Sequence, residues 1–171
     1  CKHVPFGRIH GMSTRRGSVI FLDEVLDEAT KKAAEICSAS DKIDRELLAS
    51  TSEAVGIGAI VFGDLTNLRT SDYTFDWKEV LDFSGHTAPY VQFSHARACS
   101  ILRKAGCEPS EAHLERLELA EERAIVVALA RYPDLVADAC EAFEPSRVTR
   151  AIIDIAQTTA AFLTIGNKDR D

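Results

Sequence analysis

The sequence predicts a mainly α chain that opens with a short β and loop segment. Three observations carry this. From Asp23 onward apolar residues recur at three- and four-residue spacing, the period of helices with one buried face. Residues 1–22 instead combine short β-rich runs with Gly and Pro, as in Val4-Pro5-Phe6-Gly7 and Ser18-Val-Ile-Phe-Leu22. Hydrophobic residues make up 46% of the 171 positions, enough for a packed core and too many for a disordered chain.

The elements follow in order. Residues 1–10 read as extended chain entering a loop at 11–17 (Gly-Met-Ser-Thr-Arg-Arg-Gly), and 18–22 as a β-rich run leaving it. A helix starts at Asp23, with Val25, Leu26 and Ala29 at helical spacing and acids in its first turn, where the dipole favours them. Ser38–Asp41 breaks it. A second helix is expected from Lys42–Asp44. Its face is built by Leu47, Leu48, Val55 and Ile57–Ile60, with Gly56, Gly58 and Ala59 small enough for close packing. Asn67–Asp76 is a polar connector with an extended piece at Tyr73–Phe75, and Trp77, Val80, Leu81 and Phe83 form a helical turn.

The next helix is capped by His86 or Thr87. It carries Pro89 in its first turn, where a missing N–H is harmless, and ends at Gly106. Ser110 and His113 make a weak capping box. The following helix shows a broad apolar face of Leu114, Leu117, Leu119–Ala120, Ala124–Val127 and Leu129, and Tyr132–Pro133 is expected to stop it. Pro133–Phe143 and Pro145–Leu163 read as two more helices, each started by Pro. The polar stretch Thr164–Asp171 breaks off where a bundle would supply another partner helix. Together with the missing initiator Met, this suggests a piece of a longer protein.

The net charge of −7 by itself argues against nucleic-acid binding. Its distribution argues the other way. Residues 1–22 hold Lys2, Arg8, Arg15 and Arg16 without an acid, and residues 83–107 hold Arg97, Arg103 and Lys104 without an acid. Local field outweighs the total, because screening acts over about 8 Å in physiological salt. Five cysteines, an odd number with no CxxC spacing, point to reduced thiols in a cytoplasmic protein and not to a disulfide or zinc framework. No run approaches the roughly 18–20 apolar residues that span a bilayer, and no signal peptide is seen, so no membrane partner is expected.

Two constellations suit phosphate and RNA. The small, hydroxylated, basic loop 11–17 fits a polyphosphate, since Arg side chains and backbone N–H groups both favour anionic oxygens; a turn that happens to be basic has the same composition. Tyr90, Phe93, Arg97 and Lys104 fall at i, i+3, i+7 and i+14, one helical stripe. Aromatic faces beside an Arg stack on unpaired bases and hold phosphate, although the same spacing also suits a stripe turned to the bundle. Val91, Ala98, Leu102 and Ala105 form the neighbouring stripe, assigned to the core. His95 and Cys99 at i, i+4 lack a third metal ligand on their face, so no metal site is assigned. There is no Gly-rich Walker pattern and no recognisable triad.

The run from His3 to Glu28, with Phe6-Gly7 and Met12-Ser13-Thr14-Arg15-Arg16-Gly17 before Phe21-Leu-Asp-Glu-Val-Leu-Asp-Glu28, resembles the signature-loop region of arginyl-tRNA synthetases. Met12-Ser13 matches the Met-Ser of the class I Lys-Met-Ser-Lys-Ser motif. Gly11 and Thr14 stand at the two Lys positions and Arg15 at the final Ser. The run Phe75-Asp-Trp77…Phe83-Ser-Gly-His-Thr-Ala-Pro-Tyr-Val-Gln-Phe-Ser-His-Ala-Arg97 is similar to that family's Phe-x-Trp…Phe-Glu-Gly-x-Thr-Gly-Pro-Tyr-x-Gln-Tyr-x-His-x-Arg stretch, with Ser84, Ala88 and Phe93 as departures. Ala130-Arg-Tyr-Pro-Asp134 and Glu144-Pro-Ser-Arg147 fit the family's anticodon-binding bundle.

The resemblance implies an organisation and a function. Residues 1–84 would end a class I catalytic domain with its signature loop and stem-contact helices. Residues 85–171 would be an incomplete anticodon-binding helical domain, its last two helices missing. The parent enzyme would activate arginine with ATP and Mg2+ and transfer it to tRNA-Arg, as a cytoplasmic monomer; this segment alone is expected to be inactive. Met12, Ser13, Thr14, Arg15 and Arg16 would act in catalysis, with Gly11, Ser13 and Arg15 at the ATP phosphates. Tyr90, Gln92, Phe93, Arg97 and Lys104 would contact tRNA. The alternative is a non-catalytic helical paralogue kept for tRNA binding or protein contact.

Overall fold

A computed structural model describes residues 2–10, 21–40, 43–106 and 117–168, with side chains of the last helix through residue 165. The chain forms two compact units, Cys1–Tyr90 and Val91–Asp171.

The first unit contains β1 (Ile9–His10), α1 (Leu22–Ser38), α2 (Leu48–Thr66), β2 (Tyr73–Thr74) and α3 (Trp77–Val80). Glu24 starts α1 by accepting the Phe21 N–H at 3.1 Å, satisfying a donor that the first turn leaves orphaned. The buried face of α1 is Val25, Ala29, Ala33 and Cys37, every fourth residue. Against it lie Ser52, Val55, Gly56 and Ala59 of α2. The two helices meet backbone to backbone at Gly56, where a Cβ would stand 2.6 Å from the Thr30 nitrogen and 2.7 Å from the Ala29 carbonyl carbon. Of the small residues expected to pack closely, Gly56 and Ala59 do so here, while Gly58 is half-buried.

α2 does not begin at Lys42–Asp44. The described residues from 43 to 47 form a turn closed by Leu47 N–H to Asp44 O at 2.9 Å, and Leu47 is exposed. The turn lets Ile43 and Leu48 both reach the core made by Ala33, Cys37 and Val55. Of the β-rich run at 18–22, residues 18–20 lie outside the described residues; Phe21 is extended, and Leu22 is already helical.

β1 and β2 pair in parallel, Ile9 opposite Tyr73 and His10 opposite Thr74. Gly7 makes the approach possible: its N–H donates to Arg69 O at 2.7 Å, and a Cβ there would fall 2.1 Å from Ser71 O. Asp76 caps α3 by accepting the Lys78 N–H at 2.7 Å. Trp77 packs edge-on to Phe75, centroids 4.9 Å apart, with the Lys32 ammonium over its ring.

The second unit contains most of α4 (Ala88–Ala105), then α5 (Ala120–Ala142) and α6 (Ser146–Lys168). Thr87 caps α4: its Oγ1 accepts the Tyr90 N–H at 3.4 Å. Gly106 ends it in the left-handed region, φ +63°. The Ser110–His113 capping box and Leu114 lie outside the described residues.

Pro133 does not stop α5, and the two helices expected on either side of it are one. Proline removes one ladder bond. Here Ala128 and Ala139, on either side of it, are both buried and α5 packs along α6, so tertiary burial overrides the local break. Phe143 (φ 53°) turns the chain at the end of α5, and the buried Ser146 opens α6 by donating to Glu144 Oε1 at 2.9 Å. α6 continues past Leu163 through the polar residues to Lys168. α5 and α6 pack extensively on each other, whereas α4 makes no comparable contact with either.

One composition-based expectation needs correcting. α2 and α6 are each long and apolar enough, by length and composition alone, to cross a bilayer. Their hydropathy is spread over Ala, Gly, Ile and Val between isolated polar residues, so no unbroken apolar run announces it.

Candidate nucleic-acid interface

The loop residues Gly11, Met12, Ser13, Thr14, Arg15 and Arg16 lie outside the described residues. What the structure describes is the strand leading to them. Arg8 N–H donates to Asp72 Oδ1 at 2.8 Å, and His10 Nε2 stands 3.2 Å from Asp72 Oδ2. The Arg8 N–H bond, then His10, holds the Asp72 carboxyl below the usual carboxylate range. Tyr73 N–H donates to Arg8 O at 3.1 Å and Phe75 N–H to His10 O at 3.3 Å, while the Arg69 guanidinium donates to Pro5 O. Tyr73 is itself anchored: its hydroxyl bonds Asp64 at 2.7 Å, and burial followed by that bond raises its phenol. Sequence reasoning saw this connector only as polar chain with an extended piece. The signal it carried was Arg69 and Asp72 just before that piece and Tyr73 at its start.

The start of α4 is built from Asp82 to Thr87. Asp82 Oδ1 accepts both the backbone N–H of Ser84 at 2.8 Å and its hydroxyl at 2.7 Å, and these bonds, the backbone one foremost, lower the Asp82 carboxyl. The Thr87 hydroxyl donates to Asp82 O. Ser84, a departure from the related pattern, thus folds into a turn that sets the cap. Ala88, another departure, is buried, as is Pro89.

Along α4, Tyr90, Phe93, Arg97 and Lys104 sit on one side, within about 60° of each other at 3.6 residues per turn. They are not sealed in a core. Phe93 is 54% exposed, Lys104 is exposed, and Tyr90 and Arg97 are half-buried. No acidic side chain occurs anywhere in the helix. Gln92 is half-buried and falls on the other side, away from the stripe. Of the stripe assigned to the core, Val91 and Ala98 are half-buried, while Leu102 and Ala105 are exposed. His95 and Cys99 pair with each other at 3.5 Å, and among the described residues no three metal-ligating side chains gather.

The arrangement is thus a strand gripped by a connector, followed by a helix with an aromatic and cationic stripe. Residues 1–77 match the family model described as tRNA synthetases class I (R), catalytic domain, and residues 91–168 match the DALR anticodon binding domain. Matches to two domains of class I aminoacyl-tRNA synthetases therefore stand side by side in the sequence. The arginine–tRNA ligase of Clostridium botulinum Loch Maree is 39% identical over 168 residues, 95% of this chain and 29% of that protein. That of Clostridium acetobutylicum is 39% identical over 172 residues, 98% of this chain and 30% of that protein.

Among solved structures, Thermus thermophilus arginyl-tRNA synthetase superposes with a TM-score of 0.76 at 33% identity, covering 91% of this chain and 26% of that one. Plasmodium falciparum arginyl-tRNA synthetase shares the fold, with a TM-score of 0.71 at 23% identity over 94% of this chain and 28% of that one. Over nearly all of its length the chain is similar to arginyl-tRNA synthetases, and it spans less than a third of the length of these relatives.

Proposed function

We propose that this chain is the signature-loop and anticodon-binding part of an arginine–tRNA ligase. The observation that carries the reading is α4: an exposed Phe93 flanked on one helical side by Tyr90, Arg97 and Lys104, in a helix free of carboxylates. A flat ring offers a stacking face to an unpaired base of any identity, and a neighbouring guanidinium holds its phosphate. These residues would hold anticodon-loop nucleotides of tRNA-Arg, with Gln92 acting from the other side of α4.

The loop at 11–17 would serve the other half of the reaction. Arginine carboxylate attacks the α-phosphorus of ATP, and negative charge grows on the departing pyrophosphate. Arg15 and Arg16, with Met12, Ser13, Thr14 and the backbone at Gly11, would meet that charge. Fixed donors aimed at charge that develops in the transition state are commonly the largest catalytic contribution. Mg2+ would enter with ATP as part of the substrate. The enzyme would work as a monomer in the cytoplasm, with residues 1–84 serving activation and 85–171 serving tRNA. The 171 residues alone would form no arginyl-adenylate.

The test is arginine-dependent exchange of pyrophosphate into ATP by the full-length protein, with tRNA at saturation. The wild type should exchange, Arg15→Ala should slow exchange with arginine affinity held, and the isolated chain should be silent. A full-length protein that binds tRNA yet neither exchanges nor attaches arginine would establish the non-catalytic paralogue instead.

A further inference from the structure

β1 pairs with β2 over two residues only. So short a parallel pairing is a weak hold on a strand that directly precedes residues 11–17, the segment proposed above to act in catalysis. One side chain reinforces it. The two oxygens of Asp72 divide between Arg8 and His10: Oδ1 takes the Arg8 backbone N–H at 2.8 Å, and Oδ2 meets His10 Nε2 at 3.2 Å. The two interactions cross from the connector, one to His10 of β1 and one to Arg8 just before it. They bracket Ile9, so one carboxylate adds to the backbone bonds and the Arg69–Pro5 contact in holding the strand, and among the described residues it alone holds the His10 side chain. The backbone bonds from Gly7, Tyr73 and Phe75 lie on either side of this grip. His10 immediately precedes Gly11.

We propose that Asp72 is a positioning residue for adenylate formation. It touches no reacting atom. It sets the angle and depth at which β1 delivers the following residues to the departing pyrophosphate, and it ties the connector after α2 to the chemistry. The inference rests on the reading of this chain as part of an arginine–tRNA ligase. Geometry alone gives the effect its size, since misplacing a catalytic group by about 1 Å can cost about 100-fold in rate.

Two variants separate positioning from folding. Asn keeps an oxygen for the Arg8 N–H and offers an amide N–H to His10 Nε2, whereas Ala removes both bonds. In the full-length protein, at saturating ATP and tRNA, Asp72→Ala should lower kcat for pyrophosphate exchange by about 10–100-fold, with the arginine KM nearly unchanged. Asp72→Asn should recover most of that rate. Tyr73→Phe loosens the same connector at Asp64 without touching β1 and should exchange like the wild type. In the isolated chain, amide hydrogen exchange should show Arg8 deprotected in Asp72→Ala and protected in Asp72→Asn. Wild-type exchange rates in Asp72→Ala, or an equal loss in Tyr73→Phe, would overturn the proposal while leaving the functional reading intact. A wild type that does not exchange would overturn that reading, and the proposal with it.

Discussion

Replacing Phe93 by Ala separates a ring that binds RNA from a ring that packs a core. Phe93 is 54% exposed, so folding buries a little under half of it. Full burial of a Phe side chain is worth about 1.5–3 kcal/mol, so Phe93→Ala should destabilise the fold by only about 1 kcal/mol. Stacking on one base is worth about 1–3 kcal/mol, so tRNA affinity should fall by about 5–150-fold. Urea unfolding of the isolated chain reads the first quantity. Equilibrium binding of tRNA to the full-length protein, at fixed salt, reads the second. Phe93→Tyr keeps the face and should bind at least as well as wild type. The reasoning fails if Phe93→Ala costs about 3–5 kcal/mol of stability, as a core Phe would, while tRNA binding is unchanged.

Further predictions concern the fold beneath these surfaces. Gly56→Ala gains about 1 kcal/mol of helix propensity but drives a methyl into α1 backbone at 2.6–2.7 Å, atoms that no rotamer change can move aside. With overpacking at about 1–3 kcal/mol, a net loss of up to about 2 kcal/mol should appear in urea unfolding. Gly63→Ala, in the same helix, meets only Val80 methyls at 3.4 Å and beyond and should be neutral or mildly stabilising. The carboxyls of Asp72 and Asp82 titrate lower in the folded chain than their ordinary 3.8. Each therefore contributes stability that is present above that value and lost as pH falls through the folded pKa. Asp72→Asn should flatten the fall in Tm below about pH 4, and an unchanged acid limb would contradict the grip on β1.

Much of this was legible in the sequence where the cause is local. Thr87 and Gly106 delimit α4 because a hydroxyl cap and a left-handed glycine act within a few residues. The stripe of Tyr90, Phe93, Arg97 and Lys104 follows from helical period alone once α4 is unbroken. The misreadings share a tertiary cause. Pro133 looks like a stop, yet burial of α5 against α6 carries the helix through it. Lys42–Asp44 looks like a helix start, yet the core draws Ile43 and Leu48 to it through a turn. The pairing of Ile9 with Tyr73 joins two-residue strands far apart in the chain, too short for any period to reveal, and Asp72 could not be assigned to β1 without it.

Attachment of arginine to tRNA by the full-length Arg97→Ala protein, measured across tRNA concentration, bears most directly on the assignment of α4 to RNA. The account predicts that the tRNA KM rises about 5–150-fold, equivalent to about 1–3 kcal/mol, with kcat held. An unchanged KM, with the loss confined to stability or to kcat, would return Arg97 to a structural role and remove the RNA surface from α4.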